Sequence, residues 1–187
     1  SVNVPEQRFV AVGNPFQAQV DMNAVLTTST TNISPNFYWV WDPNLGTRGA
    51  YATVIAASGS PTPSDSDADQ FLQSGQAGWV FTADAGPSSV TFTQESKGTG
   101  METSTFRNEN AVSLGQLQLS LYESDALANN GTAADGVTIL FDNSGNNGVD
   151  ANDAPDITNL DENFAINNDG TLLSIETRAQ PTDEEEV

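Results

Sequence analysis

The chain is 187 residues long and carries 25 Asp and Glu against 5 Lys and Arg, a formal charge of −20, with neither Cys nor His. The two missing residue types exclude disulfide frameworks, zinc-thiolate and haem-histidine sites, and every nucleophile system that relies on an imidazole base. Five cations release too few counterions for a nucleic-acid binder, and no apolar run reaches the ~18 residues of a membrane-spanning helix.

In chain order, short apolar runs recur between turn signals. Residues 1–6 set Val2 and Val4 between polar neighbours and stop at Pro5. An extended segment of this kind is a candidate for donating a strand to another molecule, so Val2 and Val4 are read as assembly residues. Phe9–Val12 reads as a strand closed by Gly13-Asn14-Pro15, and a helical turn is expected near Asn23–Leu26. The most aromatic run, Phe37-Tyr38-Trp39-Val40-Trp41, ends at Asp42-Pro43-Asn44. As a strand it points Trp39 and Trp41 to one face, and Tyr38 and Val40 to the other. Core packing is the first reading of these rings; a sugar-stacking platform of Trp39 and Trp41 is the second.

Tyr51–Ala56, Trp79–Phe81 and Val90–Thr93 read as further strands, with 58–70 as a Ser-, Pro- and Asp-rich exposed loop. Gln116–Leu121 alternates strictly, which predicts a half-buried strand with its leucines inward. Val137–Phe141 and Leu172–Ile175 complete the strands, and a second helical turn is expected near Ala154–Leu160. About ten short strands with Gly, Pro and Asn turns predict an all-β chain of β-sandwich or jelly-roll type, built as two packed sandwich-like halves. The halves are placed at 1–98 and 111–180, with a polar linker at 99–110 and an acidic tail at 181–187.

Two acidic loops resemble cation-binding patterns. Asp142, Ser144, Asn146, Asp150 and Asp153 stand at positions 1, 3, 5, 9 and 12 of a calcium-type loop, but Asn147 replaces the usual Gly and Asp153 the usual Glu. The competing reading is a cluster of turns in which Asn and Asp cap their own backbone. Asp65-Ser66-Asp67-Ala68-Asp69 opens in the same way, then has Gln70 in place of Gly and Gln76 in place of Glu. A glycosidase would need two of the 25 acids facing each other across a groove, and no motif pairs them. The sequons at Asn32 and Asn130 are read only as marks of exposed loops.

One ordered series of motifs resembles a known family. Val12–Phe16, Asn36–Asn44, Ser74–Val80, Val90–Thr93, Leu117–Tyr122, Asn147–Asp150 with Asp153-Ala154, and Asp169–Ile175 follow one another as in the β-rich region near the C-terminus of large secreted Bacteroidota proteins. These are surface, gliding or adhesin-like cargo of the type IX secretion system, in which the region stands ahead of the sorting domain. Pro155 departs from the lysine that this family usually has there. The resemblance implies a secreted structural or adhesive module and implies no catalytic residue.

The expectation is therefore a non-enzymatic extracellular structural module at the cell surface, an adhesin or filament subunit. It would associate with itself or with neighbouring domains, and would neither bind nucleic acid nor insert in a membrane. The strong acidity with a single lysine, Lys97, suits a saline exterior. No signal-peptide pattern is seen, so export signals are expected outside this stretch. The alternative is a glycan-binding module with a structural Ca²⁺.

Overall fold

The structure, a computed structural model, describes residues 2–4, 6–98 and 115–181. The linker expected at 99–110 and the acidic tail from 182 onward lie outside the described residues. Strands β1 (Val2–Val4), β2 (Phe9–Gly13) and β3 (Val20–Asp21) precede helix α1 (Met22–Thr28). Then come β4 (Thr30–Thr31), β5 (Phe37–Asp42), β6 (Ala50–Ile55), β7 (Pro61–Thr62), β8 (Phe71–Leu72), β9 (Ala77–Phe81) and β10 (Gly86–Val90). After the undescribed stretch the chain forms β11 (Gly115–Leu121), helix α2 (Ser124–Ala128), β12 (Asp135–Asp142), β13 (Ala154–Pro155), β14 (Ile166–Asn168) and β15 (Thr171–Ala179). The fold is all-β and sandwich-like, with mainly antiparallel sheets. Its described residues form two compact units, one of 2–40, 54–61 and 68–98, the other of 41–53, 62–67 and 115–181.

In the first unit β2 and β9 pair antiparallel, from Phe9 opposite Phe81 to Gly13 opposite Ala77, and β5 lies beside β9 with Trp39 opposite Trp79. They belong to a sheet ordered β2-β9-β5-β6-β7. Phe37, Tyr38, Trp39 and Val40 are all buried, so β5 is covered on both faces and needs no polar alternation. Gly78 makes this spacing possible, because a Cβ there would stand 2.9 Å from the Trp39 carbonyl oxygen. Helix α1 begins where the Asp21 carboxylate accepts the N–H groups of Asn23 (2.9 Å) and Ala24 (3.4 Å), an N-cap that satisfies free donors. It buries Met22, Val25 and Leu26 and contains the helical turn expected at 23–26.

A smaller sheet in this unit is ordered β1-β10-β4. The strand expected at Val90–Thr93 lies earlier, at β10. Its chain leaves the sheet at Thr91, whose N–H donates to the Ser29 carbonyl (2.8 Å), and a single 3-10 turn follows at Gln94–Ser96.

The second unit is built on a sheet ordered β11-β12-β15-β13, with β14 also on β15. Strands β11 and β12 run antiparallel without a bulge, from Gly115 opposite Phe141 to Leu121 opposite Asp135. Strands β12 and β15 are parallel, Thr138 opposite Ile175, so a long crossover must separate them, and it carries β13 and β14. Leu45, Ala50, Ala52, Val137, Ala154, Leu173 and Ile175 are buried in this unit.

The halves are not contiguous in sequence, since 41–53 and 62–67 belong with the second unit. Hydrogen bonds explain the grouping. The buried hydroxyls of Thr53 and Ser174 meet at 2.8 Å, those of Thr62 and Thr138 at 2.7 Å, and the Tyr51 N–H donates to Asn159 Oδ1 at 2.7 Å. Further, the helical turn expected at 154–160 is instead β13 and a loop, whereas α2 had no expected counterpart.

Candidate functional site

The aromatic run of β5 divides into two environments. Trp39 is fully buried, edge-on to Phe9 with centroids 4.9 Å apart and 6.5 Å from Phe81, so its ring has no face open to a ligand. Tyr38 is also buried, and its hydroxyl donates to the Asp69 carbonyl. Burial, and next the Asp69 carboxylate, push the phenol far above its ordinary range, so it stays a neutral donor. Trp41 is only half-buried and stands edge-on to Tyr51 at 5.1 Å. Gly49, at φ +85°, lies directly beneath the indole, where an added Cβ would come within 2.7 Å of the ring. Trp41 and Tyr51 are thus an aromatic pair that keeps some accessible surface, as do Phe9 and Phe81.

The five oxygen-bearing residues of the 142–153 loop are close in sequence, but the fold engages them with their own backbone. Asp142 Oδ1 accepts the N–H (2.7 Å) and hydroxyl (2.5 Å) of Ser144, which hold its carboxyl below the usual range. Asn146 donates to Asp150 Oδ2 and accepts the Gly148 N–H (2.6 Å). Asp150 Oδ1 accepts the Asn152 N–H (2.7 Å). Asp153 joins the loop to the sheet, accepting the N–H groups of Asp150 (2.7 Å) and Thr177 (2.8 Å). Burial raises its pKa, those two bonds oppose the rise, and the Asp150 and Glu176 charges add to it.

These are turn staples of the Asx type. A Ca²⁺ suits the donor chemistry of the loop but would have to displace them. Among the described residues no three His, Cys, Asp or Glu side chains gather in a way that could hold a metal. Nearby, Glu176 is 1% exposed; Oε1 accepts from Asn168 (2.6 Å), while Oε2 has no hydrogen bond and lies 4.0 Å from the Arg178 guanidinium.

The acids in and around the other acidic loop are also engaged, but with partners distant in sequence. Asp65 Oδ2 accepts the Tyr122 hydroxyl (2.8 Å) and the Ala133 N–H (2.9 Å). Buried Asp42 accepts the Ser66 hydroxyl (2.6 Å) and the N–H groups of Asn44 (2.9 Å) and Asp67 (3.2 Å). Asp135 lies at the start of β12 and accepts from Gly136 (2.8 Å) and Phe164 (2.7 Å), its pKa raised by burial. Burial, with the Asp135 charge, also pushes Asp156 up to about 6. A shallow hollow lined by Gly46, Arg48, Asn159, Asp161 and Glu162 holds one cation, Arg48, already paired with Asp161 at 2.8 Å.

The proposed assembly residues Val2 and Val4 lie in β1, which pairs with β10 of the same chain, Val2 opposite Ser88 and Val4 opposite Gly86. The segment's backbone therefore already has a strand beside it. A different edge stands out. Strand β11 ends the sheet of the second unit and, among the described residues, pairs with β12 alone. The leucine face expected to turn inward is open instead, with Leu117 39% and Leu119 45% exposed. Alternation places leucines on a common face, but only the sheet order decides whether anything covers that face. A sequence signal for the edge did exist: Gly115-Gln116-Leu117-Gln118-Leu119-Ser120-Leu121 holds no charge and no proline in a chain with 30 charged residues (25 + 5).

No protein-family model, no curated protein and no solved structure matches this chain.

Proposed function

We propose that this chain is a non-enzymatic, extracellular structural module of a secreted bacterial surface protein, working as an adhesin or filament building block. The observation that carries the reading is the uncharged edge of β11, which is open among the described residues. Edge strands in soluble proteins are ordinarily blunted by lysine, proline or a bulge, because a free row of backbone donors and acceptors recruits another strand. None of these devices interrupts β11. The ordered motif resemblance to type IX secretion cargo and the acidic, lysine-poor composition support an exterior location.

Negative-stain electron microscopy of material from the natural source, with and without EDTA, tests the proposal. Regular filaments or lattices are expected, and their dissolution by EDTA would assign the acidic loops a metal at the joints or within the fold. Uniformly dispersed single particles would overturn the assembly role. A glycan-binding module with a structural Ca²⁺ is the second reading, favoured by the partly accessible Trp41–Tyr51 pair. It requires a change in tryptophan fluorescence on glycan addition that Trp41→Ala abolishes.

A further inference from the structure

We propose that β11 pairs with β11 of a second copy of this chain, antiparallel about a two-fold axis at Gln118, so that the two sheets continue into one. The inference rests on the assembly reading above and names its joint.

Three observations converge on this partner. The first is the open edge itself, seven residues long and in unbroken register with β12. The second is self-complementarity. With Gln118 opposite its own copy, Leu117 meets Leu119, Gln116 meets Ser120 and Gly115 meets Leu121, so all seven residues pair. Leu117 and Leu119 then lie beside each other, with Leu121 beside Gly115, on one face, and Gln or Ser lies beside Gln or Ser on the other. A slip of one residue would put each leucine opposite a polar side chain and flip the faces.

Charge supplies the third. Each copy carries −20, so two copies repel wherever their carboxylates approach. Strand β11 has no ionisable side chain, and β12 behind it has acids only at its ends, Asp135 and Asp142, of which Asp135 is buried. A neutral edge suits a partner that is itself acidic; a cationic partner would find nothing there to pair with. The salt dependence is consequently distinctive. Added salt screens the repulsion between copies and tightens the dimer, whereas it would loosen an acidic–basic complex. A two-fold joint closes at two copies, so a filament or lattice built from this module needs a second joint elsewhere.

The test is sedimentation equilibrium of the full chain at salt concentrations from about 0.05 to 0.5 M, a range over which the screening length falls severalfold. Two matched variants, Gln118→Glu and Gln116→Glu, add the same charge to exposed positions on the same face. Only Gln118→Glu sets a carboxylate opposite its own copy; the Gln116 positions lie four residues apart along the joint, roughly 14 Å. The expected result is a dimer that tightens with salt, is weakened about fivefold by Gln118→Glu, and changes by less than about twofold with Gln116→Glu.

A monomer at every salt concentration overturns the proposal, as does a dimer that treats the two variants alike. In a monomer, slow exchange of every β11 amide would show the edge covered within one chain, and fast exchange of its outward amides would leave it to a different protein; either result rejects the second copy. Assemblies that persist in the microscope with Gln118→Glu would reject this joint while keeping the structural role. Their absence in both wild type and variant would reject the role as well.

Discussion

Strands β5 and β11 start from similar material and end in opposite surroundings. Both bring large apolar side chains into a chain otherwise rich in Asn, Asp, Ser and Thr, β5 as a continuous run and β11 at alternate positions. Strand β5 has a neighbour on each side, β9 and β6, and buries Phe37, Tyr38, Trp39 and Val40. Among the described residues strand β11 has a neighbour on one side only, and Leu117 and Leu119 are exposed. Hydrophobicity states what a side chain gains by burial, but the position of its strand in the sheet order decides whether that gain is realised within one chain.

The comparison can be broken most directly at its two centres. Trp39→Ala empties a fully buried position of the first unit and is expected to cost about 3–5 kcal/mol in urea unfolding, whereas Leu117→Ala on the exposed edge should stay within about 0.5 kcal/mol. Equal losses would mean that β11 is covered in the monomer after all. At the margin of the aromatic run, Gly49→Ala should cost about 2 kcal/mol, since the new methyl meets the Trp41 ring at a positive φ, and should blue- or red-shift the tryptophan emission. An unchanged spectrum and midpoint would detach Trp41 from Gly49.

The smallest effect expected is a pH dependence. Asp156 holds its proton up to about pH 6 when folded, against about 3.9 for an unperturbed aspartate. The folded state binds the extra proton between these values, so the stability from this group is fully present below about pH 4 and lost as pH rises through 6. After allowance for solvent screening the swing is on the order of 1 kcal/mol. Asp135, also raised by burial, acts in the same direction. Asp156→Asn should flatten this part of the melting-temperature profile and raise the midpoint at neutral pH. A profile identical to wild type would remove Asp156 as its source.

The elements most legible in the sequence were those whose local pattern matches their final environment. Phe9–Val12, Phe37–Trp41, Val137–Phe141 and Leu172–Ile175 are all found in strands, because a short apolar run between turn residues has few other ways to bury itself. Long-range facts were illegible. Nothing near Thr53 or Thr62 announces Ser174 or Thr138 as its partner, so the interleaving of the two units had no local sign. The acidic loops show a different limit. Residue types suited to a cation are also those suited to capping a turn, and Asp142, Asp150 and Asp153 are folded into caps. The open edge at β11 was half legible: its freedom from charge is written in the residues, and its place at the end of a sheet is not.

The hydroxyl contact between Thr53 and Ser174 joins positions 121 residues apart. Closing so long a loop carries an entropic cost before any contact rewards it, and non-local contacts of this kind slow folding. A chain emerging N-terminus first has made residues 41–53 and 62–67 long before β15 exists to receive them. The second unit therefore cannot be completed before its last described strand, β15, has appeared. Until that moment the charge-free stretch at 115–121 has no finished sheet to belong to, and the mutual repulsion of chains at −20 works against their association through it.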